Sequence, residues 1–106
     1  MLGWSIHIKR NDETVLYAES TDLGLDSKIR DRAEEILDSA YYRAWGYGYP
    51  NRYHIRNAQL PHAQLYRYIS VPGAERPRIE RETLELGVLP DIPGDELLWV
   101  ELWDQS

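Results

Sequence analysis

The stretch from Tyr41 to Arg56 interleaves Tyr41, Tyr42, Trp45, Tyr47, Tyr49 and Tyr53 with Arg43, Arg52 and Arg56, and His54 stands between the last two arginines. Flat aromatic faces stack on bases and sugars, and guanidinium forks hold phosphate or carboxylate through paired hydrogen bonds. Such a mixture can recognise a nucleotide, a single-stranded nucleic acid or an acidic protein surface. If Arg52 to Asn57 is a strand, Arg52, His54 and Arg56 project from one face, because side chains alternate. Together with the loop residues Tyr47 and Tyr49 they form the candidate binding set. The same pattern has a plainer source: Tyr41 and Trp45 inside a helix's buried stripe, Tyr53 on the core face of a strand, and the cations neutralised by the chain's own carboxylates. Composition leaves the exposed row and the internally paired row both open.

Other chemistries find less support. His7, His54 and His62 are the only histidines, and their spacing matches neither His-x-x-x-His nor His-x-His, so no metal site is expected, and no cofactor. Ser5 and Ser70 lack the Gly-x-Ser-x-Gly elbow of a nucleophilic serine, and no catalytic residue is assigned. Gly46 and Gly48 follow a helical pattern instead of opening one, which suits a helix stop better than a phosphate cradle. The stretch Asp91 to Asp104 carries 5 acids and no base beside Trp99 and Trp103. That combination fits an edge that docks a basic partner, or simply a core strand with solvated ends.

These residues must be positioned by the elements around them. Leu2, Trp4, Ile6 and Ile8 alternate with polar residues as a strand does, and after Asn11 and Asp12 the run Val15 to Ala18 completes an antiparallel hairpin. Leu25, Ile29, Ala33, Ile36, Leu37, Ala40, Tyr41, Ala44 and Trp45 recur at steps of three and four. This predicts one long amphipathic helix of about 28 Å, capped by Asp26 or Ser27, braced by Arg30 and Glu34 and ended at Gly46. Residues 52–57 and 65–71 read as strands, and 79–88 fits either a helical turn followed by an extended piece or a strand. Leu97 to Trp103 reads as an interior strand, apolar on both faces. The expected fold is α+β: an antiparallel or mixed sheet of about four to five strands with the long helix across one face, in the order β, β, α, β, β, a mixed tail and β.

A chain of 106 residues with 42% hydrophobic and 28% charged residues is expected to form a single domain over 1–106. The absence of cysteine excludes disulfides and thiolate sites and points to a reducing compartment. No apolar run approaches the length of a signal or a span, so no membrane association is expected and the cytoplasm is the expected location. The net charge of −6 opposes non-specific duplex binding. That total hides an asymmetry: residues 1–38 hold 5 bases and 9 acids, residues 39–74 hold 4 and none, and residues 75–106 hold 3 and 9. The sequence therefore suggests a small acidic, non-catalytic protein that binds and blocks or regulates another macromolecule, as immunity proteins, antitoxins and anti-defence inhibitors do, with another protein as the first partner class. The alternative is an anionic-ligand, nucleotide or single-stranded nucleic-acid binder using residues 41–56, and an open sheet edge offers a route to a homodimer.

Overall fold

Alternating polarity builds the first hairpin. In β1 (Trp4–Arg10), Ile6 and Ile8 are fully buried, while His7 and Lys9 point to the opposite side of the sheet. β2 (Glu13–Ser20) returns antiparallel through Asn11 and Asp12, and Asn11 adopts a φ of 55°, a left-handed conformation that asparagine tolerates. Ile8 faces Leu16 but Lys9 faces Thr14, so Val15 is the extra residue of a β-bulge that bends β2. The computed structural model describes residues 3–38 and 50–104.

The expected long helix is not formed, and the α+β reading with it is overturned: the chain is mostly an antiparallel seven-stranded sheet. α1 covers only Leu25–Arg30, about 9 Å of helix, with Leu25 and Ile29 buried on the sheet. Its start is set by Asp22, whose Oδ1 accepts the Gly24 N–H at 2.9 Å and whose Oδ2 meets Lys28 Nζ at 2.6 Å; Gly24, not Asp26 or Ser27, is the N-cap. Arg30 pairs with Asp26 at 3.5 Å instead of with Glu34. Beyond α1 the backbone is captured by a strand edge: Glu34 N–H donates to His54 O at 2.7 Å, and β3 (Glu35–Asp38) pairs with β4 (Asn51–Arg56). Ladder bonds along β4 outweigh the modest propensity for a further helical turn, and Ile36, expected in the buried stripe, is 51% exposed. The remainder of that stripe, Ala40 to Gly46, lies outside the described residues.

The sheet runs in the order β3-β4-β7-β1-β2-β5-β6, with every pairing antiparallel. β7 (Leu97–Asp104) is interior, between β4 and β1, as its two apolar faces suggest. One side carries the core: Ile6, Ile8, Ile55, Leu98, Val100 and Leu102 lie beneath α1 and the loops bearing Leu60, Leu89 and Ile92. A 3-10 turn, Asn57–Gln59, follows β4 and carries the fully buried Asn57, which ties down the 89–92 loop. Arg10 grips Glu96 through two bonds of 2.6 and 2.9 Å, fixing the hairpin tip to the start of β7.

β5 (Ala63–Val71) and β6 (Arg78–Leu86) form a long hairpin in unbroken register from Ala63 opposite Leu86 to Val71 opposite Arg78. Residues 79–86, ambiguous in the sequence, are thus a strand without a helical turn. Among the described residues the hairpin pairs with the rest of the sheet at one ladder position, Glu19 opposite Tyr66, helped by the Ser20 hydroxyl donating to Gln64 O at 3.2 Å, while its Ala63, Leu65 and Leu86 pack into the core. Its distal half extends into solvent as an arm, with Tyr68 61% and Ile79 68% exposed. The radius of gyration is 14.9 Å, above the roughly 13 Å of a compact chain of this length. At the arm's turn a Cβ on Gly73 would lie 2.2 Å from Arg76 O, so only glycine fits there. No helix among the described residues is long and apolar enough to cross a membrane.

Candidate functional site

The side of the sheet opposite the core is built by the polar parity of the central strands. Register stacks these side chains in three cross-sheet rows. In the first, Glu35 faces His54, His54 faces Trp99 and Trp99 faces Lys9. In the second, Arg52 faces Glu101, Glu101 faces His7 and His7 faces Tyr17. The third runs Trp103, Ser5, Glu19, Tyr66, Thr83.

Glu101 is the hub. It is only 8% exposed, and its two oxygens meet Lys9 Nζ at 2.8 Å and Arg52 Nε at 3.6 Å. A partly buried carboxylate between two cations satisfies its charge locally, which is what its burial requires. His7 sits beside it, and burial together with Lys9 lowers the imidazole below its usual pKa; burial is the larger cause, and the Glu101 charge opposes both. Around the hub lie two edge-to-face ring pairs, His7 with Tyr17 at 4.4 Å and His54 with Trp99 at 5.2 Å. Lys9, Asn11, Asp12, Arg52, Trp99 and Glu101 line an open recess of about 450 Å³. A second aromatic cluster continues on β5, where Tyr66 and Tyr68 meet edge-to-face at 5.9 Å and Arg81 lies over the Tyr66 ring at 4.1 Å. Burial raises the Tyr66 phenol above its ordinary value, and the charges of Glu19 and of Tyr68 push the same way.

The residues expected to form the site divide in two. Tyr47 and Tyr49, together with Arg43, lie outside the described residues, as do Tyr41, Tyr42 and Trp45. Arg52, His54 and Arg56 do share one face of β4, and each stands against an acid of the same chain: Arg52 against Glu101, His54 against Glu35 at 3.7 Å, Arg56 against Glu34 at 3.2 Å. Arg56 also donates to Asp95 O. Tyr53, the one described tyrosine of that stretch, is buried on the other face, donating to Asp26 Oδ1 at 2.5 Å alongside Asn51 Nδ2 at 2.8 Å. Aromatic residues make up 11% of the chain, so ring enrichment is a feature of that stretch and not of the molecule.

His7, Lys9 and Tyr17 were not read as contact residues although their strands were legible, and Trp99 and Glu101 entered only as part of the acidic 91–104 edge. Alternation assigns each to a face, but the order of strands, which brings residue 7 beside residues 17 and 101, has no local signal. Among the described residues no group of three or more His, Asp or Glu is placed to hold a metal ion. Comparison with protein-family models, curated proteins and solved structures returns no match for this chain.

Proposed function

We infer that this chain is a small acidic binding protein of the cytoplasm that occupies another protein through the open face of its sheet, with His7, Tyr17, His54 and Trp99 as the contact rings. One observation carries this reading: the rings stand on the central strands, opposite the core, with Tyr17 50% exposed. An antiparallel sheet commonly leaves one face to water, but that face is then polar. Aromatic side chains held rigidly by cross-strand neighbours are instead what interface hot spots are made of. The cations around them already have internal partners: Glu101 lies between Lys9 and Arg52, and Glu35 stands opposite His54. A protein surface supplying rings, apolar groups and some basic charge suits this face better than a phosphate, which would have to compete with Glu101 for the same cations. Occupation without turnover, in the manner of an inhibitor or antitoxin, is the role that agrees with the net charge of −6.

The test is a comparison of retained proteins between immobilised wild type, the double variant Tyr17→Ala with Trp99→Thr, and Lys28→Ala on the helix side, each checked for folding by circular dichroism. A protein held by wild type and Lys28→Ala but lost from the double variant supports the reading. Equal retention by all three removes it.

A further inference from the structure

β6 ends the sheet, and among the described residues no strand pairs with its outer edge. Arg78–Leu86 keeps regular register with β5, with no bulge and no proline inside the strand. Bulges and prolines are two of the devices that stop an edge from pairing with another chain. Here charge alone guards the edge, and the arrangement of that charge decides what it accepts. The arm has a further need for a neighbour: Tyr68 on one strand and Ile79 on the other are largely exposed, and a ribbon of two strands without a covered face is marginal in water.

We propose that the occupant is a second copy of this chain, paired through an antiparallel β6–β6 ladder about a two-fold axis at Thr83. A two-fold axis normal to the sheet keeps each face on its own side, so opposed residues share parity and the axis falls on a residue. An axis on Glu80 or Glu82 sets identical carboxylates directly opposite one another. An axis on Arg81 opposes two guanidinium groups and flanks them with Glu80 facing Glu82. With the axis on Leu84 the ladder shortens and Arg81 faces Gly87. The axis on Thr83 opposes Thr83 to itself, Arg81 to Glu85 twice and Glu82 to Leu84 twice, with no like charges face to face.

Opposed threonines and opposite charges are among the favoured cross-strand pairs. The side chains are also placed for this register. Arg81 lies over the ring of Tyr66 on β5 and makes no ion pair among the described residues, so its charge is open to Glu85 of the second copy once the guanidinium swings from that ring toward the edge. Glu82 is already bonded to Arg67 at 2.6 Å, so its charge is met before Leu84 of the second copy comes alongside. Glu85 is exposed and has no ion pair among the described residues, which leaves it for the Arg81 across the axis.

Sedimentation velocity on the full chain over a concentration series tests this. Wild type is expected to move from monomer to dimer. Arg81→Glu opposes two carboxylates at each of two positions, and Glu85→Arg opposes two guanidinium groups, so each variant alone is expected to lose at least about 10-fold in dimer affinity. An equimolar mixture of the two variants restores opposite charges at both positions and is expected to dimerise again. That recovery also shows both variants to be folded. Thr83→Lys, which brings two ammonium groups together on the axis, is expected to weaken the dimer independently of the Arg81 stack. A wild type that stays monomeric, single variants that dimerise as wild type does, or a mixture that fails to reassociate would each overturn the proposal.

Discussion

Asn57 offers the sharpest test of how this fold holds its loops. It is fully buried, and its amide satisfies three main-chain groups: Nδ2 donates to Leu89 O at 2.9 Å and to Ile92 O at 2.8 Å, while Oδ1 accepts from Leu89 N at 2.8 Å. Its own N–H donates to Glu96 O at 3.0 Å, and Ala58 N–H to Gly94 O at 2.8 Å, so the 3-10 turn is a bracket for the whole 89–96 loop. Asn57→Ala leaves two carbonyls and one N–H without these partners in a partly buried place. At about 1 kcal/mol for each group left wanting, the expected loss is about 3 kcal/mol. By the usual scaling this lowers Tm by roughly 10–20 °C. Urea unfolding followed by tryptophan fluorescence should show a lower midpoint with an unchanged slope, because the surface exposed on unfolding is nearly the same. Asn57→Asp keeps the acceptor for Leu89 N but turns a carboxylate toward two carbonyls, and is expected to be at least as damaging at neutral pH. A loss below about 1 kcal/mol for the alanine variant would refute the bracket, since the three groups would then be satisfied without the amide.

Three further outcomes follow from the titratable groups. His7 has a lowered pKa, so the unfolded chain binds its proton more tightly; stability is full above the ordinary value of 6.5 and falls as pH drops through the folded value, and His7→Gln should flatten that decline in urea midpoints measured from pH 8 to pH 5. Asp22 is lowered mainly by its bond to Lys28, which outweighs burial, so its contribution is present above 3.8 and is lost as pH falls through the folded value; Asp22→Asn should cost roughly 1 kcal/mol at neutral pH and show a smaller acid-induced loss. Glu101→Gln removes the charge that raises His7, so NMR titration of the imidazole should move further down; an unmoved titration would show that the two side chains do not sense each other as the register implies.

Period-two alternation made the strands legible, and the reasons are visible in single residues. Ile6, Ile8, Leu98, Val100 and Leu102 are buried where alternation places them, and the interior position of β7 was readable from its two apolar faces. The long helix was misread because Leu25, Ile29, Ala33 and Ile36 satisfy helical spacing as well as a short helix followed by a turn and a strand. What decides between the two is the waiting edge of β4, a tertiary fact that residues 25–45 do not contain. For residues 79–86 the helix-forming glutamates and arginines hid a strand whose pairing with β5 supplies the missing preference. The candidate cations of β4 were correctly placed on one face, but their partners Glu34, Glu35 and Glu101 come from segments far along the chain or across a sheet order that no local pattern encodes.

Those partners explain the charge asymmetry of the chain. The middle third contributes cations without acids, and the fold sets its described arginines against acids of the flanking thirds: Arg52 against Glu101, Arg56 against Glu34, Arg67 against Glu82. Segregation along the sequence thus becomes neutralisation in space, drawing the ends onto the middle as strands 4, 5, 6 and 7 assemble. Exposed pairs of this kind add little stability individually. Their consequence is for recognition: with each of these guanidinium groups facing a carboxylate of its own chain, an incoming phosphate has to displace an internal partner, whereas the rings of His7, Tyr17 and Trp99 displace only water. Under the proposed binding role, the acids in excess, which carry the net charge of −6, would attract a basic partner from a distance and the rings would hold it.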